Sequence, residues 1–261
     1  MINHINLKVL VIDTDFYALR ALNSYLAWDR RTRVVALAND LAQAWDFLAH
    51  VAPPEYPDVI VLDMDASENP DSLHDMVIRL RQRIGNPVVL CLARRPDPAW
   101  TAAAFAAGAQ GVLLRNEVRL HLVGAILYAR AHLFTVTPSI RARADADAVW
   151  LSHAELLPGE REFPTMSERI RQALWLCVIE GMPAQLAADE MGISPHTLRS
   201  YIKQGYRILE MYDDAEYPAD MGPLERAFLR FTALDWPGRQ SDRPPDGPTR
   251  TPPDDDPEAQ G

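Results

Sequence analysis

The residues most able to do chemistry fall into a few short stretches. "KVLVIDTDF", Lys8 to Phe16, runs four apolar residues into Asp13 and Asp15, with Thr14 between them. "PDVIVLDMDAS", Pro57 to Ser67, repeats the arrangement with Asp63 and Asp65. Two carboxylate-tipped strands side by side would offer the oxygen ligands that a hard cation such as Mg²⁺ prefers. A third stretch, "SPHTLRSYIKQGYR", Ser194 to Arg207, places Arg199, Lys203 and Arg207 four residues apart. On a helix that spacing makes one basic stripe, a shape suited to phosphates.

These residues need elements to position them. "LKVLVID", "RVVALA", "PDVIVLD", "PVVLCLA" and "GVLLR" read as five strands. Helical patterns separate them: "FYALRALNSYLAW", "DLAQAWDFLAH" with Asp40 as N-cap, "PDSLHDMVIRLRQRI" with Pro70 in its first turn, and "PAWTAAAFAAG" closed by Gly108. "EVRLHLVGAILYARAH" reads as a last amphipathic helix. Continuous Val/Ile/Leu strands between helices indicate a parallel sheet covered on both faces. The expected fold is therefore an α/β doubly wound five-stranded parallel sheet, with its site at the strands' C-terminal ends, followed by an all-α domain.

The expected division is a sheet domain over 1–133, a partly helical linker over 134–164, an all-α domain with an extra C-terminal helix over 165–235, and a disordered tail over 236–261. That tail is Pro, Asp, Arg and Gly with almost nothing apolar. The chain has 261 residues, 48% of them apolar, and a formal net charge of −10. Such a charge argues against the whole chain wrapping nucleic acid and leaves room for a local basic surface. Cys91 and Cys177 lie in apolar runs without a CxxC partner, so they read as buried reduced thiols. The N-terminus lacks signal-peptide character, and no apolar run approaches a membrane span. The reading is a cytoplasmic protein without membrane attachment.

The first half resembles the receiver domain of bacterial two-component response regulators. The resemblance covers roughly Lys8 to His132 and rests on "VLVIDTD", "PDVIVLDMD", "NPVVLCLA" and "AAGAQGVLLR" in that order. It implies Asp63 as phosphoacceptor, with Mg²⁺ held by Asp13 and Asp63; Asp65, or alternatively Asp15, each displaced along the chain, stands in as the further metal ligand. The sequence departs from the family set at four places. Thr14 stands for the second acid of the metal pair, Leu92 for a hydroxyl, Arg115 for a lysine and Val112 for a switch aromatic. A Leu in place of a hydroxyl removes a hydrogen bond to the reacting group, which by analogy with lost oxyanion donors costs ~2.7–4 kcal/mol. The expectation is a pseudo-receiver controlled independently of standard Asp phosphorylation, with Arg115 as internal counter-ion. The alternative is a phosphorylation-dependent regulator using Asp63 and served by a sensor kinase. "LDMDAS" also matches the nucleophile loop of haloacid-dehalogenase-type phosphatases, but the later strand ends lack that family's hydroxyl and acidic pair. The chain is read as not being an enzyme.

The second half resembles a LuxR-type helix-turn-helix. "GISPHTL" supplies the turn, Ser194 as N-cap and Pro195 at the first helical position. Leu198, Tyr201, Ile202 and Leu209 share one face, with Gly205 allowing close approach. The resemblance implies double-stranded DNA as partner. His196, Thr197, Arg199 and Ser200 would face base edges, and Lys203 and Arg207 phosphates. A homodimer on two half-sites is expected. The rival reading is an adapter contacting RNA polymerase or another regulator.

Overall fold

A computed structural model describes residues 6–213 and 215–235. The acidic tail expected over 236–261 lies outside the described residues. Two compact units result. Among described residues, the first comprises 6–162 with 215–235, and the second 163–213.

The first unit is a parallel sheet in the order β2-β1-β3-β4-β5-β6-β7. Its strands are β1 Leu7–Ile12, β2 Thr32–Ala38, β3 Val59–Asp63, β4 Val88–Ala93, β5 Gly111–Leu114, β6 Phe134–Val136 and β7 Ala154–Leu156. Helices α1 Phe16–Trp28, α2 Leu41–His50, α3 Pro70–Ile84, α4 Pro98–Ala106, α5 Arg115–Val118, α6 Leu122–Arg130 and α7 Pro138–Ala142 connect them. Alternation along β1 explains the double winding. Leu10 and Ile12 pack with Ala44 and Leu48 of α2 and with Leu73 and Leu80 of α3. Val9 and Val11 pack on the opposite face with Leu19 and Leu26 of α1 and Ile126 of α6. Apolar residues on both faces of every central strand remove it from water, which accounts for the near-continuous Val/Ile/Leu runs.

The sheet has seven strands rather than the five expected. The segment 134–164, expected as a linker, supplies β6 and β7. Gly111 is what admits them: a Cβ there would lie 2.8 Å from the Thr135 carbonyl oxygen. Phe134 and Trp150, both buried, then anchor the extension to the core. Edge strand β5 is thereby covered, a common protection against edge-to-edge pairing.

Two further expectations are revised. "EVRLHLVGAILYARAH" is broken rather than continuous: α5 ends at Val118, a 3-10 turn spans Arg119–His121, and α6 begins at Leu122. Arg119 adopts φ +42°, which no continuous helix allows. The C-terminal helix α11 Pro223–Phe231, expected with the helix-turn-helix, packs on the sheet unit instead. Its amphipathic character explains the choice. Phe228 stacks on Trp28 at 5.6 Å between centroids, and Leu234 joins the α1/α6 side of the core.

The second unit holds α8 Glu168–Leu174, prolonged by a π-helical turn over Trp175–Ile179, then α9 Ala184–Met191 and α10 Pro195–Met211. Gly181 and Gly192, both with φ +64°, end the first two helices. The core is Ala173, Leu176, Ala187, Ala188, Met191 and Leu198.

Candidate functional site

Strand order reverses at β1 and β3, so the crevice beyond their C-terminal ends is the place for a site. Asp13 and Asp63 lie there, fully buried. Arg115, the first residue after β5, reaches between them. Its Nη1 lies 2.7 Å from Asp13 Oδ2 and its Nη2 2.6 Å from Asp63 Oδ1. The first is an aligned hydrogen bond. The second is a close ion contact without that alignment. Thr14 Oγ1–H donates to Asp63 Oδ2 at 3.0 Å. Backbone N–H groups complete the set: Asp15 to Asp13 Oδ1 at 2.9 Å, and Asp65 to Asp63 Oδ1 at 3.2 Å.

All four carboxylate oxygens of Asp13 and Asp63 therefore have a donor from this chain. Leu92, buried beside them on β4, offers no oxygen. Asp65, expected as a third metal ligand, is not brought to the pair: its carboxylate turns outward, 2.9 Å from Arg94 Nε. Among the described residues no group of three or more His, Cys, Asp or Glu side chains could hold a metal. Mg²⁺ demands near-ideal octahedral oxygen ligation. These residues do not fit it, because a guanidinium stands between the two carboxylates.

The electrostatics follow from the same geometry. Burial alone would lower the pKa of Arg115, but the Asp13 hydrogen bond and the Asp63 charge outweigh it and raise the guanidinium above its ordinary value. Asp15, outside the pair, caps α1. Backbone N–H donation from Ala18, then from Tyr17, holds its carboxyl below the usual range. Arg94 escaped the sequence reading. Its signal was a cation immediately after the strand end "LCLA".

The second candidate surface is α10. Ser194 caps it, its Oγ accepting from the Thr197 N–H at 3.1 Å. Leu198, Gly205, Ile208 and Leu209 are buried, whereas His196, Arg199, Ser200, Lys203 and Arg207 are exposed. Thr197 is only half-exposed, and its hydroxyl lies 2.8 Å from Ser194 Oγ, so it serves the cap. A Cβ on Gly205 would lie 2.8 Å from Leu174 Cδ1, so glycine lets α10 approach α8 closely. Seventeen residues give α10 a length of about 25 Å, with Arg199, Lys203 and Arg207 about 6 Å apart along its axis.

Residues 160–209 match the family model described as Sigma-70, region 4. No curated protein matches the chain in sequence. The RcsB response regulator of Salmonella typhimurium is 15% identical, over 80% of this chain and 94% of that one, with a TM-score of 0.45. RcsB from Salmonella enterica serovar Typhimurium bound to promoter rprA is 14% identical, over 88% and 100%, with a TM-score of 0.43. A NarL signal receiver domain from Mycobacterium tuberculosis is 25% identical, over 48% and 97%, with a TM-score of 0.40.

Proposed function

We propose that the chain is a DNA-binding transcription regulator whose receiver-like unit works without aspartyl phosphorylation. The observation that carries the DNA reading is the exposed face of α10. It holds His196, Arg199, Ser200, Lys203 and Arg207, and no acid before Glu210. In a chain of net charge −10, that face is where phosphate attraction can concentrate. The N-terminal residues His196, Arg199 and Ser200 sit where a recognition helix meets base edges, and Lys203 and Arg207 farther along suit phosphates. One such helix gives modest affinity, so a homodimer on two half-sites is the working form.

Control without phosphorylation is supported by the oxygen accounting at Asp13 and Asp63. A phosphoryl group on Asp63 would have to displace Arg115 and Thr14 from its carboxylate and would find no hydroxyl at Leu92. Arg115 supplies internally the positive charge that a metal would otherwise bring.

The test is duplex binding followed by fluorescence anisotropy. Arg199→Ala combined with Lys203→Ala is expected to weaken binding at least tenfold at low salt. Unchanged affinity would refute the DNA reading. It would favour an adapter that contacts RNA polymerase or another regulator, a reading supported by the exposed Leu186, Asp189 and Glu190 of α9.

A further inference from the structure

One short segment joins the carboxylate pair to the chain that flanks the helix-turn-helix unit. It runs from Arg115 to His121, through α5 and the 3-10 turn. At its first residue, Arg115 bridges Asp13 and Asp63. In its middle, the Glu117 carboxylate accepts from the Ser139 hydroxyl and tethers the segment to α7. At its last residue, buried His121 is bonded to one distant segment and lies against another. Its Nδ1–H donates to the Thr232 carbonyl at 2.8 Å, and its Nε2 lies 3.0 Å from Glu160 Oε1.

Those two segments are the ones that matter for the second unit. Residues 159–161 lead into it, and the return segment from 215 leads out through α11. They are paired with each other: Arg161 N–H donates to the Ala233 carbonyl at 3.1 Å and Asp235 N–H to the Gly159 carbonyl at 2.8 Å, around an antiparallel bridge of Glu160 with Leu234. Outside the segment, Arg30 pins the return chain through Asp220 at 2.7 Å and Glu225 at 3.1 Å.

Arg119 lies between the two anchored ends at φ +42° and ψ −119°, a conformation that costs a non-glycine residue energy. Such residues persist where surrounding contacts over-determine them. Here the over-determining contacts are Arg115 on one side and His121 on the other, with the Arg119 Nε–H bonded to the Asn116 carbonyl at 2.9 Å.

We infer that residues 115–121 are a two-ended lever, through which the state of the Asp13–Asp63–Arg115 cluster sets the closure of the clamp formed by 159–161 and 233–235. This rests on the reading of that cluster as a charge-balanced control site. It assigns the control a structural output: whatever moves Arg115 changes how firmly both tethers of the helix-turn-helix unit are held.

Amide hydrogen exchange of the full-length protein tests this without DNA. Asp63→Asn, nearly isosteric, removes one of the two charges holding Arg115; Arg115→Lys keeps the charge and loses the fork. Both are expected to raise exchange at the Arg161 and Asp235 amides at least tenfold. The Leu7 amide, bonded to the Arg31 carbonyl at the other end of the sheet, should stay as in wild type. In an Arg119→Gly background, where the strained residue relaxes, Asp63→Asn should move the clamp amides less than threefold. The lever is overturned if Arg161 and Asp235 exchange at wild-type rates in both variants, or if exchange rises uniformly, Leu7 included. Duplex binding by the same proteins is scored separately, so a failed DNA reading and a failed lever give different results.

Discussion

Arg115→Met is the sharpest perturbation of the receiver-like unit. The guanidinium lies 2.7 Å and 2.6 Å from two carboxylates whose side chains are 1% and 0% exposed. Removing it leaves two buried anions facing each other with only Thr14 and two backbone N–H groups as donors. Breaking a buried pair by deleting one partner costs about 3–5 kcal/mol. Arg115 is itself 20% exposed, so water can partly replace it and the lower end applies. At about 2–4 °C per kcal/mol for a unit of this size, the melting temperature should fall by about 10 °C. The penalty must also depend on pH. With Arg115 gone, a proton on one carboxylate relieves the repulsion in the folded chain, and no such repulsion exists in the unfolded chain. The folded variant then binds more protons, so its stability relative to wild type rises as pH falls. Urea melts at neutral pH and at about pH 5 read both effects. Adding Asp13→Asn and Asp63→Asn to the variant should recover much of the loss, since an uncharged cluster carries no unpaired ion. A loss below about 1 kcal/mol at neutral pH, or one that does not change with pH, would refute the counter-ion account.

Other outcomes follow from the same structure. Gly205→Ala gains about 1 kcal/mol of helix propensity but forces a methyl against fully buried Leu174, a strain of about 1–3 kcal/mol, so urea melts should show a net loss. Ser194→Ala removes the α10 cap and should cost about 0.5–2 kcal/mol, read in the same melts. Burial pushes the Cys91 thiol up to about 12, leaving a thiolate fraction of roughly 10⁻⁴ at pH 8. Iodoacetamide followed by mass spectrometry should label half-exposed Cys177 first and Cys91 only on unfolding; prompt native labelling of Cys91 would contradict the packing of β4.

How much of this was legible in the sequence depends on the range of the interaction. The central strands β1, β3, β4 and β5 announced themselves because each is buried on both faces, the half-buried edge strand β2 through its run of Val, Ala and Leu, and α10 because Gly192, Ser194 and Pro195 are local signals. Strands β6 and β7 did not, since "FTV" and "AEL" are three residues each and the second carries an exposed glutamate. The break at Arg119 was hidden because positive φ usually advertises itself through glycine or asparagine, and neither occupies the position. Charge balance at Asp13 and Asp63 could be inferred from Arg115, but not that one guanidinium would reach both carboxylates. The His121 contacts were out of reach: Thr232 lies 111 residues away, and no pattern within either segment points to the other. The placement of α11 failed for a related reason. An amphipathic helix declares that it needs an apolar partner, not which one.

The proposed contact of α10 with DNA phosphates is read most directly in the salt dependence of binding to a random duplex. Arg199, Lys203 and Arg207 on each protomer, if all engaged, give a slope of log K against log[salt] of about −2.7 per protomer. A slope between about −2 and −3 per protomer is expected, shrinking by about one for each cation replaced by alanine. A flat response, or a slope that the Arg199→Ala, Lys203→Ala and Arg207→Ala changes leave intact, would contradict it.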